Sequence, residues 1–294
     1  MAFLKTVLFF CMCLTASEAY AVSVKGKVSY PERGCGADSN IQFKIAGFSN
    51  YPPFSWSENK KYQKEYNGFI PEFVKKALND MHIVNLSEEP FEDFFQFQKA
   101  LLHGKADLSF SSYYIDEAKS GQDYVYPAFF GNPFVVLSRM TKKIDINDIS
   151  ELRGLKGIIR KDEEIEMLFR GILPTDTKLE IANDASEAFK KLLSGEVDFM
   201  ISSPYAADAE ARRFKIRDKL HFGSTVLRHI KYFIAFSKLS KCRQYKGFFS
   251  EKLAEQDVIK DKSKMEESIQ RYIRLWEEMH KDEPPLEYTP PAGE

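Results

Sequence analysis

Hydrophobic residues spaced three to four positions apart predict helices along the first half of the chain, with short apolar runs between them. The helices are predicted at residues 70–81 and 94–103, and the strands at residues 43–48, 107–111 and 133–138. Gly68 precedes the first helix and Gly104 follows the second, where a helix is expected to begin and end. Helices and strands therefore alternate along this half.

The second half continues the alternation. Strands are predicted at residues 158–159, 197–202 and 231–237, and helices at residues 184–195, 244–255 and 262–280. Asp184 and Glu187 have the spacing of a capping box, which marks a helix start. Four prolines after Asp282 predict a loosely attached tail. Alternating elements of this kind predict an α/β fold with mostly parallel sheets flanked by helices.

Two segments of the chain resemble each other. Residues 97–112 (FQKALLHGKADLSFSS) and 188–203 (AFKKLLSGEVDFMISS) share seven identical positions when they are aligned without gaps. Each reads as a helix, a glycine stop, a turn and a strand that ends in Ser-Ser. Chance similarity between two helix–turn–strand units is one interpretation. The other is a pair of similarly built lobes, whose Ser-Ser pairs would lie on facing rims of one cleft.

Composition and charge narrow the class of protein. The chain has 294 residues, which suggests two domains or one large one, and 42 basic residues balance 43 acidic ones. A net charge of -1 excludes a broad electrostatic surface for nucleic acid. A mean hydropathy of -0.38 excludes a polytopic membrane protein.

The first residues have the pattern of a secretory signal peptide. Lys5 precedes an apolar run at 7–14, and Ala19 and Ala21 fit a cut after Ala21. A buried N-terminal helix or an anchor is the alternative. Removal of residues 1–21 leaves two cysteines, Cys35 and Cys242, which form either a disulfide in an oxidising compartment or two separate buried thiols. No metal site, cofactor motif or catalytic triad is expected from the remaining residues.

Several short motifs together resemble the family 3 extracellular solute-binding proteins, of the periplasmic amino-acid-binding type. They are IAGFSNYPPF at 45–54, NGF at 67–69, GKADL at 104–108, LRGLKG at 152–157, YFIAFS at 232–237 and the Trp-bearing segment at 273–276. The resemblance implies a two-lobed fold of the type II periplasmic-binding-protein kind, with hinge strands near 135–138 and 233–237. Residues 22–137 and 235–294 would form the first lobe and residues 138–234 the second.

The same resemblance implies a set of ligand-binding residues. They are Tyr51, Phe54, Phe94, Ser111, Ser112, Tyr114 and Lys119 in the first lobe, and Arg160, Asp162, Glu163, Ser202 and Ser203 in the second. Core packing is the alternative for Tyr51, helix capping for the two acids, and a solvated strand end for Arg160. Further aromatic residues lie at the expected rim, among them Trp56, Tyr113 and Tyr205. Core or loop packing is the alternative for most of these rim aromatics, and those that line the cleft would favour a larger or more apolar solute.

The chain differs from the family pattern at four places, the first of which is Tyr114, where the family has threonine. Lys119 stands where the family has an arginine that clamps a carboxylate, and lysine lacks the bidentate fork of arginine. Ser203 stands where the family has an aspartate for the α-amino group, and Lys161-Asp162-Glu163 replaces its Gly-Thr turn. These exchanges argue against a standard α-amino acid and favour some other small polar or amphipathic solute.

The resulting hypothesis is a monomeric periplasmic protein that captures a small solute for an ABC-type permease or a membrane sensor, without catalysis and without nucleic acid. One alternative is a sensory or interaction module in which solute binding has weakened. The other is a dehydratase-like enzyme on the same fold, for which Glu163 or Asp162 would be the acid.

Overall fold

The computed structural model describes residues 35, 42–60, 63–83, 85–91, 94–114, 121–161, 168–169, 171–256 and 260–293, without the side chains of 58–60, 63–64 and 94–95. The predicted signal peptide and the candidate ligand residues Lys119, Asp162 and Glu163 lie outside this part, as does the Phe94 side chain. Within it, no helix combines the length and apolar character needed to cross a bilayer.

Thirteen strands and six α-helices occur in the described part. The strands are β1 (Phe43–Phe48), β2 (Asn50–Tyr51), β3 (Ser55–Lys60), β4 (Gln63–Asn67), β5 (Leu86–Phe91), β6 (Leu108–Tyr113), β7 (Gln122–Tyr124), β8 (Phe130–Arg139), β9 (Lys156–Arg160), β10 (Lys178–Ala182), β11 (Phe199–Ser202), β12 (Leu220–Phe222) and β13 (Arg228–Ser237). The helices are α1 (Phe69–Asp80), α2 (Phe94–Leu102), α3 (Ala185–Leu193), α4 (Pro204–Arg213), α5 (Lys246–Glu255) and α6 (Lys262–Met279).

The main sheet consists of two halves with the same strand plan. In the first, strands run in the order β5-β1-β6-β13-β7, and in the second in the order β10-β9-β11-β8-β12. Each half pairs its first three strands in parallel and its last three antiparallel. We call these halves, with their helices, the first and second lobes. Their equivalent topology supports the interpretation that the two similar segments belong to similarly built lobes.

Two long strands join the lobes. β8 pairs with β13 from Phe130 opposite Tyr232 to Phe134 opposite Arg228. Beyond this shared stretch, β8 continues into the second-lobe sheet and β13 into the first-lobe sheet. Both strands therefore cross between the lobes, as the expectation of two hinge strands requires.

The two similar segments match in atomic detail. Asp107 accepts a hydrogen bond from the Lys44 backbone N–H at 2.9 Å, and Asp198 accepts one from the Lys156 N–H at 3.0 Å. Asp107 thus ties the start of β6 to the start of β1, and Asp198 ties the start of β11 to the start of β9. Gly104 and Gly195 both have positive φ, at 65° and 79°, a conformation that favours glycine after a helix.

Several elements escaped the sequence patterns because they lack a clear apolar face. The three-stranded sheet β2-β3-β4 is rich in charged residues, and the edge strands β5 and β10 carry polar side chains at three of six and two of five positions. A one-residue difference separates predicted and observed bounds at α1, α2 and α6. The helix predicted from residue 244 begins instead as a 3₁₀ turn, Lys241–Tyr245, that leads into α5.

The segment after Asp282 is not loose, which corrects the expectation drawn from its prolines. The Leu286 N–H donates a hydrogen bond to the Phe214 carbonyl at 3.0 Å, and Leu286 and Tyr288 pack against the hydrophobic core of the second lobe. Prolines prevent a helix here, but they do not prevent an extended segment from burying its apolar side chains.

Cys35 and Cys242 form a disulfide, with their Cα atoms 5.4 Å apart. Both residues are buried in the core of the first lobe. The pairing joins a residue ahead of β1 to the 3₁₀ turn that follows β13. Of the two alternatives left open by the sequence, the structure shows the bonded one.

Candidate functional site

The carboxyl ends of β1, β6, β9 and β11 point toward the junction of the lobes, which is where open α/β sheets bind ligands. Tyr51 lies in the short strand β2 that follows β1, and its hydroxyl accepts a hydrogen bond from the Asn132 side-chain amide at 3.0 Å. Ser203, which directly precedes α4, donates to the Asn132 side-chain oxygen at 2.7 Å. Asn132 lies on β8, so one buried amide links the first lobe to the second.

Aromatic rings fill the crevice around this link. The Phe54 ring lies 5.4 Å from Tyr51 and 5.1 Å from Phe130, measured between centroids, and meets Tyr205 of the second lobe edge to face at 6.1 Å. Tyr232 stacks on both Tyr51 and Phe54. Such pairs add favourable contacts to the free energy gained by burying the rings. The crevice is therefore closed by the protein's own side chains.

Beside Tyr51 the described side chains leave very little space, in contrast to the larger cavity beside Arg160. The cavity beside Tyr51, Ser111 and Tyr113 measures about 10 Å³, which is room for roughly one water molecule. The aromatic rings here pack against one another, which is the core-packing alternative for the rim aromatics, and their role in binding a solute stays a prediction. They do so because the segment after β1 folds Tyr51 and Phe54 onto the crossing strands.

Hydroxyl groups in the crevice also have internal partners. The Tyr113 and Tyr232 hydroxyls lie 2.7 Å apart, and burial raises the pKa of Tyr232 well above its ordinary value, which keeps this phenol protonated. Ser111 accepts a hydrogen bond from the Phe48 N–H, and Ser112 donates to the Ser109 hydroxyl. A solute in this crevice would have to replace these contacts.

The four candidate serines all lie at or near buried strand ends. Ser111 borders the small cavity beside Tyr51, Ser203 contacts Asn132, and Ser112 is buried within β6. Ser202, the fourth, is buried at the end of β11. Their roles in binding stay predictions.

Arg160 is not a solvated strand-end charge. It is 3% exposed, and its Nη2 donates to the Asn50 carbonyl at 3.2 Å, which joins the second lobe to the first. Burial raises the pKa of the neighbouring Glu210 carboxyl, and the positive charges of Arg160 and Arg213 oppose this shift only in part. These three side chains and the start of α3 border a cavity of about 210 Å³ at the lobe junction. The cavity presents charges of both signs.

Tyr114 and Trp56 do not join the crevice. Tyr114 is 59% exposed, and its ring lies in tilted contact with Tyr124 and Phe233, at 5.4 Å and 6.3 Å between centroids. Trp56 is buried against Tyr272 and Trp276 of α6, which is the core-packing alternative for the rim aromatics. A role for Tyr114 in binding stays a prediction.

The sequence patterns missed three central residues: Asn132, Tyr232 and Glu210. Asn132 had a signal, since a lone amide within the apolar run of β8 must find partners when it is buried. Tyr232 has the pattern of an ordinary strand residue, and no helix was predicted around Glu210. Only the packing of the lobes reveals their positions.

Among the described residues, one group of side chains has the closeness of a metal site. Ligand atoms of Cys35, Asp107 and Cys242 lie within 4.8 Å of one another. The two sulfurs are bonded to each other, so neither is available as the thiolate that a metal would need.

Comparison with solved structures identifies the fold. The amino-acid ABC transporter substrate-binding protein AbpA from Streptococcus pneumoniae, bound to L-arginine, superposes with a TM-score of 0.62 at 17% identity, over 80% of this chain and 95% of that one. A protein from Wolinella succinogenes described as an ABC-transporter binding component, complexed with lysine, gives 0.63 at 16% identity, over 79% and 95%. The periplasmic VFT2 domain of BvgS from Bordetella pertussis gives 0.58 at 14% identity, over 80% and 92%.

These similarities define the class of fold. The chain has the two-lobed α/β fold of amino-acid-type periplasmic solute-binding proteins, as the sequence motifs suggested. No protein-family model and no curated protein sequence matches the chain. At identities below 20% the likeness concerns the fold.

Proposed function

We propose that this is a secreted, periplasmic solute-binding protein that captures a small polar or amphipathic solute between its lobes and presents it to an ABC-type permease or a membrane sensor. The observation that carries the proposal is the construction of two equivalent sheets joined only through the pairing of β8 and β13 in the described strands. Such a construction closes around ligands by bending at the crossing strands. The solved neighbours from Streptococcus and Wolinella hold arginine and lysine.

In the described conformation, Tyr51 and Ser203 both hydrogen-bond to Asn132 at the junction of the lobes. A solute therefore enters only after the lobes separate and the bonds among Tyr51, Asn132 and Ser203 break. These groups offer a hydroxyl, an amide and a second hydroxyl, and Ser111, Ser112 and Ser202 lie near the same strand ends. In this proposal the first lobe comprises residues 22–137 and 235–294 and the second residues 138–234.

In this proposal the charged groups at the lobe junction contribute less to solute recognition than the hydroxyl and amide groups. Arg160 and Glu210 lie on the second lobe beside Asn50 of the first, and Lys119 is the further cation implied by the family pattern. A lone lysine attracts a carboxylate without the paired hydrogen bonds that an arginine supplies. The proposal therefore favours a solute recognised mainly by hydroxyl and amide contacts.

A thermal-shift screen tests the proposal. A solute at one hundred times its dissociation constant should stabilise the folded protein by about 2.7 kcal/mol and raise the melting temperature. Ser203→Ala removes the donor to Asn132 and should weaken this shift. Ser194→Ala, a matched substitution at the end of α3, should leave the shift unchanged. If amino acids, sugars, polyamines and organic acids all leave the melting temperature unchanged, the proposal fails.

One observation favours a second function, an interaction or sensory module that kept the fold and lost tight solute binding. The crevice holds only about 10 Å³ of free space, and its polar groups bond to each other. This alternative predicts an envelope protein partner that co-purifies with a chain that no small molecule stabilises. The dehydratase alternative stays a prediction, since both of its candidate acids lie outside the described part of the chain.

A further inference from the structure

Helix α6 belongs to the core of the first lobe. Ile269, Ile273 and Trp276 are buried in that core, and the Trp276 ring meets Trp56 at 5.3 Å between centroids. The chain that leaves α6 then crosses to the second lobe. We call residues 282–291 the strap.

The strap binds the second lobe through three kinds of contact. Glu283 accepts two hydrogen bonds from Arg213 of α4, at 2.8 Å and 3.3 Å. The Leu286 N–H donates to the carbonyl of Phe214, directly after α4. Leu286 and Tyr288 cover the second-lobe core, and Lys219 lies 5.8 Å from the centre of the Tyr288 ring.

The strap also reaches the turn after α3. A Cβ placed on Gly195 would lie 2.9 Å from the Pro291 ring, so proline and glycine are in close contact there. Pro291 therefore ends the strap at the turn that follows α3, beyond its contacts with α4. The second lobe is held along a line of contacts rather than at one point.

Ion pairs between α4 and α6 reinforce the same side of the molecule. Arg212 binds Glu277 at 3.2 Å, and the Tyr205 hydroxyl donates to Glu266 at 2.6 Å. Arg213, which holds the strap, also lies over the Trp276 ring at 5.5 Å. Separation of the lobes that moves α4 away from α6 must break these contacts and the strap contacts together.

We propose that the strap is a clasp that holds the closed state of the two lobes. Since one end is anchored to the first-lobe core and the other lies on the second lobe, the lobes separate fully only when the strap leaves Arg213 and Phe214. A clasp of this kind shifts the equilibrium between closed and open states toward the closed one. The proposal does not depend on any solute, because every contact is made within the chain.

Pulsed electron spin resonance tests the clasp. Spin labels attached through Asp80→Cys in the first lobe and Lys178→Cys in the second, both at exposed positions, report the distance between the lobes. The otherwise unchanged chain should show one short distance. Leu286→Ala and Glu283→Gln should each add a second, longer distance that reports the open state. In Leu286→Ala the population of the open state should rise about tenfold, which corresponds to a shift of about 1.4 kcal/mol in the free energy of opening.

Leu239→Ala provides the matched control, because Leu239 is the same residue type but 68% exposed. It should leave the distance distribution unchanged. If Leu286→Ala loses its far-ultraviolet circular dichroism signal, and so does not fold, the distance distribution of Glu283→Gln alone tests the clasp. A single short distance in folded strap variants would overturn the proposal, as would an equal opening in the Leu239→Ala control.

Discussion

Loss of the Cys35–Cys242 disulfide should lower the free energy of unfolding by about 2–5 kcal/mol. The bond closes a loop between residues 207 positions apart. In the chain-entropy treatment, closing a loop of that length lowers the entropy of the unfolded chain and so raises its free energy by about 5 kcal/mol at 25 °C. Residual structure in the unfolded chain reduces this value, which sets the lower part of the range.

Urea unfolding followed by circular dichroism measures the effect. The oxidised protein should unfold at higher urea than the same protein in dithiothreitol. Cys242→Ala should match the reduced protein apart from a small packing cost, since Cys242 is fully buried, and should not respond to dithiothreitol. Coincident curves for oxidised and reduced protein, with peptide mapping that confirms the bond, would refute this reasoning.

Two further predictions follow from the packing. Leu101 and Leu192 occupy equivalent, fully buried positions in the two lobes. Substitution of either by alanine should lower the free energy of unfolding, measured in urea titrations, by about 2–5 kcal/mol. A loss below about 0.5 kcal/mol, the size of a surface effect, would contradict the assignment of these residues to the core. Hydrogen bonds donated by Arg213 hold the pKa of Glu283 below its ordinary 4.5. Because a lowered carboxyl pKa contributes stability above the unfolded value and loses it as pH falls, the stability difference between the unchanged chain and Glu283→Gln should be constant above pH 4.5 and shrink below it. A difference that persists unchanged to pH 3, well below that value, would show that the carboxylate does not bind Arg213 in solution.

Much of the fold was predictable because local patterns and tertiary structure agree. The helical spacing of apolar residues located α1, α2 and α6 to within one residue at each end. The shared Gly and Asp of the two similar segments have the same physical roles, a left-handed turn and a hydrogen bond to the first strand. A repeat of this kind reports on topology, since the same local interactions recur in both lobes.

The site was less predictable because it depends on how the lobes meet. The sequence places Tyr51 and Phe54 at a strand end, but the same rings can contact a solute or one another. Their stacking on Tyr232 follows from the position of β13, which no local pattern shows. Similarly, the prolines of the strap indicated an absence of helix, whereas its docking depends on apolar surface supplied by α4 and β12.

Native mass spectrometry shows directly whether the protein captures a solute between its lobes. The protein would be purified without denaturation, and its mass would be measured before and after incubation with a small-molecule extract. The account predicts one discrete added mass per chain, lost on gentle activation and reduced in Ser203→Ala. A chain that keeps only its polypeptide mass under both conditions would contradict capture of a solute between the lobes.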